Sequence, residues 1–99
     1  MIAVDPPEQR IVVHHRICER HPDVTEDDVR TAWRNTVRIQ KREGSFDDRY
    51  LALGTDQHGR LLELCAVRID DESVLVFHAM RATVKAITEL GFNERRRKR

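Results

Sequence analysis

The chain has 99 residues, enough for one hydrophobic core and too few for two, and its 39% hydrophobic and 35% charged residues describe a globular unit with a heavily ionic surface. The formal charge of +1 hides an asymmetry: the segment from Glu94 to Arg99 holds five of the 18 basic residues and one of the 17 acidic ones, leaving residues 1–93 with 13 basic against 16 acidic groups. That body is not a general polyanion binder, two cysteines exclude a disulfide scaffold, and no apolar run approaches a membrane span, so a reduced cytoplasmic protein without membrane attachment is expected.

Residues 1–10, with Pro6-Pro7 and little periodicity, read as a flexible arm, and the domain proper is expected over 11–93. Ile11 to His21 aligns Val13, Ile17 and His21 along one stripe and predicts a short helix, with a strand at Ile11 to Val13 as an alternative. The next helix is better signalled. Thr25 is placed to cap it, Glu26, Asp27 and Asp28 suit its positive end, Val24 pairs with Val29 as a staple, and Val29, Ala32 and Trp33 make the buried stripe.

From Val37 to Met80 the period changes to two, with turn signals at Glu43 to Asp48, Asp56 to Gly59 and Asp70 to Ser73, which predicts a four-stranded antiparallel meander. Arg81 to Gly91 returns to helical spacing on Val84, Ile87 and Leu90, with Gly91 as the stop, and the basic segment 94–99 reads as a disordered tail. The expected fold class is α+β: two N-terminal helices, the meander and one C-terminal helix.

A two-residue loop at Gln57-His58 would pair Leu53 with Leu62, Leu51 with Leu64 and Tyr50 with Cys65. A like loop at Asp71-Glu72 pairs Cys65 with His78 and Glu63 with Met80. One face then carries Leu51, Leu53, Leu62, Leu64, Ala66, Leu75, Phe77 and Ala79 and needs helices over it, while Tyr50, Cys65 and His78 form a row on the other. The same rule sends Arg38 and Gln40 of the first strand toward the apolar set, a conflict that a bulge or slipped register would relieve.

Three segments carry a resemblance to a known family: Glu19-Arg20-His21-Pro22-Asp23-Val24-Thr25, then Gly54 to Leu62 with Gly59-Arg60-Leu61-Leu62, then His78-Ala79-Met80-Arg81-Ala82-Thr83. Together they resemble the BrnT-type toxins of bacterial type II toxin–antitoxin systems, within the RelE-like ribonuclease group. Pro22-Asp23 stands where that family usually has glycine, and Met80 replaces the first arginine of its Arg-Arg-Ala-Thr junction. The resemblance implies a RelE-like fold and a metal-independent endoribonuclease acting on mRNA. It also implies a cognate small DNA-binding antitoxin that holds the toxin inactive, with DNA reached only through that partner.

RNA cleavage by its own 2′-hydroxyl needs a base, cations for the phosphate and an acid for the leaving oxygen. Arg60 and Arg81, near opposite each other at one end of the sheet, are the candidate phosphate pair, against the plainer roles of closing a hairpin and lining a solvated helix turn. His78 is the candidate proton carrier, with Tyr50 and Glu63 as helpers, against a half-buried strand histidine and a structural ion pair. Arg20, His21, Thr83 and Lys85 are the candidate RNA contacts, against packing of Arg20 and His21 as a helix terminus, the role favoured for His21 because it continues the apolar stripe.

His14 and Cys18 share helical i, i+4 spacing near His15 and His21, but without a second cysteine pair or a fitting acid no metal site is expected, and no cofactor. Cys65 on a central strand reads as an inert small apolar residue. The alternative function is a non-catalytic RNA- or protein-binding module of the same fold, which the replacement at Met80 and the acidic body favour. A homodimer is one assembly the sequence allows.

Overall fold

The three-residue connection Gln57-His58-Gly59 sets the register of the two strands it joins. In the computed structural model, which describes residues 9–42 and 48–91, Gly59 sits at φ 82° and the amide of Asp56 donates to the Arg60 carbonyl at 2.9 Å. This is the hairpin that closes with a left-handed glycine, one residue longer than a two-residue loop. Pairing therefore shifts by one from the expected register: Leu51 faces Cys65, Tyr50 faces Ala66, Leu53 faces Glu63 and Gly54 faces Leu62.

Five strands form the sheet: β1 (Arg10–Val13), β2 (Thr36–Lys41), β3 (Arg49–Thr55), β4 (Leu61–Asp70) and β5 (Ser73–Arg81), in the order β1-β5-β4-β3-β2. β2 to β5 make the expected antiparallel meander. The addition is β1, which pairs in parallel with β5, so the sheet is mixed and five-stranded rather than four-stranded. Arg10 belongs to this strand and not to an arm, while the rest of the proposed arm up to residue 8, most of the Glu43 to Asp48 turn and the basic tail lie outside the described residues.

Helix α1 (Arg16–Arg20) is much shorter than the stretch Ile11 to His21, because Ile11 and Val13 bury their side chains as strand residues. Helix α2 (Glu26–Arg34) begins as expected: the Asp28 amide donates to the Thr25 hydroxyl and the Thr25 amide to the Asp28 carboxylate, a complete capping box. Helix α3 (Val84–Glu89) is capped by the Thr83 hydroxyl and ends before Gly91, at φ 83°. Of the expected stripe, Leu90 is buried and Ile87 packs against the same cluster, joined by the buried Ala86, whereas Val84 is 76% exposed.

Both sheet faces are covered in part. Helices α1 and α2 lie over Ala52, Leu62, Leu64, Ala66, Val74, Val76 and Ala79, joined by Ile11, Val13, Ile17, Val24, Val29 and Ala32. Against the opposite face, α3 buries Leu51 and Leu53 with Ala86 and Leu90. Burying Leu53, Leu62 and Leu64 completely stabilises the fold by roughly 1.5–3 kcal/mol each. α2 approaches β3 so closely at Gly54 that a Cβ there would lie 1.9 Å from the Ala32 carbonyl oxygen.

Strand irregularities re-aim several side chains. Val37 is an extra residue in β2, between the pairs Thr36 with Gly54 and Arg38 with Leu53. Phe77 is an extra residue in β5, between Cys65 with His78 and Ala66 with Val76. That bulge lets Val76 and Ala79 both face the core while Phe77 and His78 turn to the α3 side, so Phe77 is not a core residue and is 36% exposed.

Candidate functional site

The chemistry collects on the α3 side around Glu63, which is central in β4 and only 9% exposed. Its Oε2 lies 2.8 Å from Nε2 of His78, and its Oε1 accepts from the Thr83 hydroxyl at 2.7 Å and the Thr83 amide at 2.9 Å. Thr83 Oγ1 in turn accepts from the Ala86 amide at 3.2 Å, so one carboxylate ties β4, β5 and the start of α3 together. Burial raises the Glu63 pKa, but the bonds from the Thr83 hydroxyl, the His78 ring and the Thr83 amide outweigh it and hold the carboxyl below its ordinary value.

An ionised carboxylate only accepts hydrogen bonds, so the ring nitrogen facing it carries the proton. His78 is thereby held with Nε2–H toward Glu63, which leaves Nδ1 as the nitrogen that can accept a proton. The His21 ring meets the His78 ring edge-on, with centroids 6.4 Å apart and planes at 90°.

Two adjoining grooves share Arg20, Phe77 and His78. The first, about 430 Å³, is lined also by Glu63, Thr83, Lys85, Cys65 and Arg42. The second, about 230 Å³, adds His14, Arg16 and His21. Six expected residues thus meet here: His78, Glu63, Thr83, Arg20, His21 and Lys85. Cys65 shares the face, but burial pushes its thiol pKa up, with Glu63 and Glu89 adding to the effect against Arg42 and Arg49, which leaves it a poor nucleophile.

Three expected residues stand elsewhere. Tyr50 pairs with Ala66 on the face toward α2, because the longer hairpin reverses the parity of β3, and it lies outside both His78 grooves, although it borders the neighbouring cavity lined by Cys65, Phe77 and Arg42. Arg60 is enclosed by acids: Nε donates to Asp56 at 2.7 Å, and the two terminal nitrogens reach Asp28 at 3.1 Å and Asp23 at 3.4 Å. Asp28 and Asp56 are themselves buried, and burial raises their pKa values. The Thr25 and Gln57 bonds on Asp28, and the Arg60 and His58 bonds on Asp56, overcome this and keep both below the ordinary range. A guanidinium in that setting neutralises protein charge, and a phosphate brought to it would meet three carboxylates.

Arg81 pairs with Leu62 at the same end of the sheet and is largely exposed, its Nε 3.7 Å from the same Asp23 carboxylate. Arg60 and Arg81 are neighbours through Asp23, yet both lie outside the His78 grooves.

Arg16, Arg42 and Phe77 are groove residues that sequence reasoning missed. Strict alternation put Phe77 in the core, and nothing local marks the bulge. Arg42 enters because β2 ends beside α3, where it ion-pairs with Glu89. Among the described residues no group of three or more metal-ligating side chains is assembled, and none of the helices is long and apolar enough to cross a membrane. No protein-family model, curated protein or solved structure matches this chain, and the likeness to BrnT-type toxins stands on its three short segments alone.

Proposed function

We propose that this protein is the toxin of a bacterial type II toxin–antitoxin pair, a metal-independent endoribonuclease whose proton carrier is His78. The observation that carries the reading is the Glu63-oriented imidazole in a groove lined by Arg20, Lys85, Arg42 and, on its other side, Arg16 and His21. In the step envisaged, the 2′-oxygen attacks the adjacent phosphorus and its proton passes to Nδ1 of His78. The bond to the 5′-oxygen breaks and that oxygen takes a proton from His21 of the adjoining groove, which enters the step as the imidazolium and leaves it as the neutral ring, giving a 2′,3′-cyclic phosphate.

Arg20 and Lys85 replace Arg60 and Arg81 as the cations for the developing phosphate charge. Glu63 is a positioning residue, selecting the His78 tautomer. The cognate antitoxin, a small DNA-binding protein, completes the proposal.

Inducing the chain in bacteria without a partner should arrest growth and fragment messenger RNA, and His78→Ala should restore both. Normal growth with abundant folded protein would overturn the reading. A non-catalytic RNA-binding module is favoured by one observation, Met80 lying directly across from Glu63 where the resembling family has arginine. RNA that binds the purified protein and keeps its length would select that alternative.

A further inference from the structure

We propose that Phe77 is a base-stacking shelf that gives the site a second nucleotide subsite and restricts it to single-stranded RNA; this rests on the ribonuclease reading of the His78 groove. Phe77 is an apolar ring on an open sheet face, placed beside His78 by the β5 bulge, and it lines both His78 grooves as well as a third cavity of about 500 Å³. That third cavity continues away from His78 along Gln40, Lys41, Arg42 and Arg49. The Arg49 guanidinium stands 5.4 Å from the ring centroid, so a cation already leans on the aromatic surface.

The trough therefore runs from Arg16 and Arg20, past His78 and Phe77, to Lys41 and Arg42. A nucleotide chain lying in it would meet a cation on each side of the proton carrier and an aromatic ring next to it. Lys41 and Arg42 are ion-paired with Asp48 and Glu89, but these are surface pairs, weak enough to be exchanged for a phosphate. Antiparallel sheets that bind single strands use this combination of a charged groove and an exposed ring. In a duplex the bases stack on each other, and a ring set into a sheet cannot reach their faces.

The test uses a short 2′-O-methyl RNA strand, which lacks the attacking hydroxyl, carrying 2-aminopurine. Wild-type protein should bind it with quenched fluorescence. Phe77→Trp should retain both, and Phe77→Leu, which keeps apolar bulk, should bind roughly tenfold more weakly without quenching. If Phe77→Leu binds as tightly as wild type, or if duplex RNA binds as well as the single strand, the shelf assignment falls while the ribonuclease reading stands. If wild-type protein binds no RNA, both fall.

Discussion

Nε2 of His78 lies 2.8 Å from Oε2 of Glu63, and the second oxygen of the same carboxylate is taken by Thr83, so the imidazole is held by a group that is itself fixed at both ends. Glu63→Gln tests this arrangement. The carboxamide oxygen would serve Thr83 and its amide nitrogen would donate to His78, moving the ring proton to Nδ1 and removing the base. RNA cleavage should fall roughly 10²–10⁴-fold, as for His78→Ala, with a displaced pH profile and an unchanged circular dichroism spectrum. Glu63→Ala should in addition destabilise the fold by about 1–3 kcal/mol in urea titration, since it strands the partly buried Thr83 donors and the His78 ring. Full cleavage by Glu63→Gln would remove the positioning role.

The Arg60 network predicts a loss of stability instead of a loss of chemistry. Asp56→Ala leaves the amides of His58 and Arg60 and one guanidinium nitrogen without their acceptor and should cost about 2–4 kcal/mol. Arg60→Ala should move the urea midpoint in the same direction, because it leaves Asp28 and Asp56 buried with less compensation. Any activity lost should track the folded fraction. A stable, inactive Arg60→Ala protein would return Arg60 to the phosphate site.

Acid should unfold the protein earlier than its ordinary surface carboxylates would require. Asp28, Asp56 and Glu63 all have folded pKa values below their unfolded ones, 3.8 for the aspartates and 4.5 for Glu63. A depressed carboxyl binds fewer protons in the folded state, so its stabilisation is complete above the unfolded pKa and is lost as pH falls through the folded value. The urea midpoint should be flat above about pH 5.5 and decline steeply below about pH 4.5. In Asp56→Asn that decline should be shallower, and an identical slope in the two proteins would count against the network as its source.

Gly54→Ala should be among the most damaging small substitutions. The added Cβ would sit 1.9 Å from the Ala32 carbonyl oxygen, a backbone atom of α2 that moves only with the helix. A loss of about 3 kcal/mol or more is expected, at the upper end of overpacking effects. Thermal melts of Gly54→Ala beside Gly59→Ala, where space is open and only the positive φ resists, would separate steric contact from backbone strain.

Local interactions were legible in the sequence. The Thr25 capping box, the glycine stop at Gly91 and the antiparallel meander follow from residues a few positions apart or from tight turns, and the expected pairs of Cys65 with His78 and Glu63 with Met80 hold because an extra residue at Ile69 in β4 and the bulge at Phe77 in β5 offset each other. The placing of His78 beside Glu63 was within reach for the same reason, since β4 and β5 meet through the short Asp71-Glu72 connection, whereas Arg20, His21 and Thr83 were picked out by the family resemblance.

Tertiary structure decided the rest. A glycine at φ 82° lengthened one hairpin by a residue, and because side chains alternate with a period of two, that residue moved Tyr50 to the far side of the sheet. The bulge at Phe77 has no local signature; it exists because Val76 and Ala79 both meet the helices of the core, and it turns an apparent core residue toward the candidate site. Arg60 looked available because two of its three acids, Asp23 and Asp28, lie more than thirty residues away in sequence, and only Asp56 is local. Alternation and capping are short-range physics that a sequence carries openly, while register, bulges and ion-pair partners depend on which distant backbone arrives alongside.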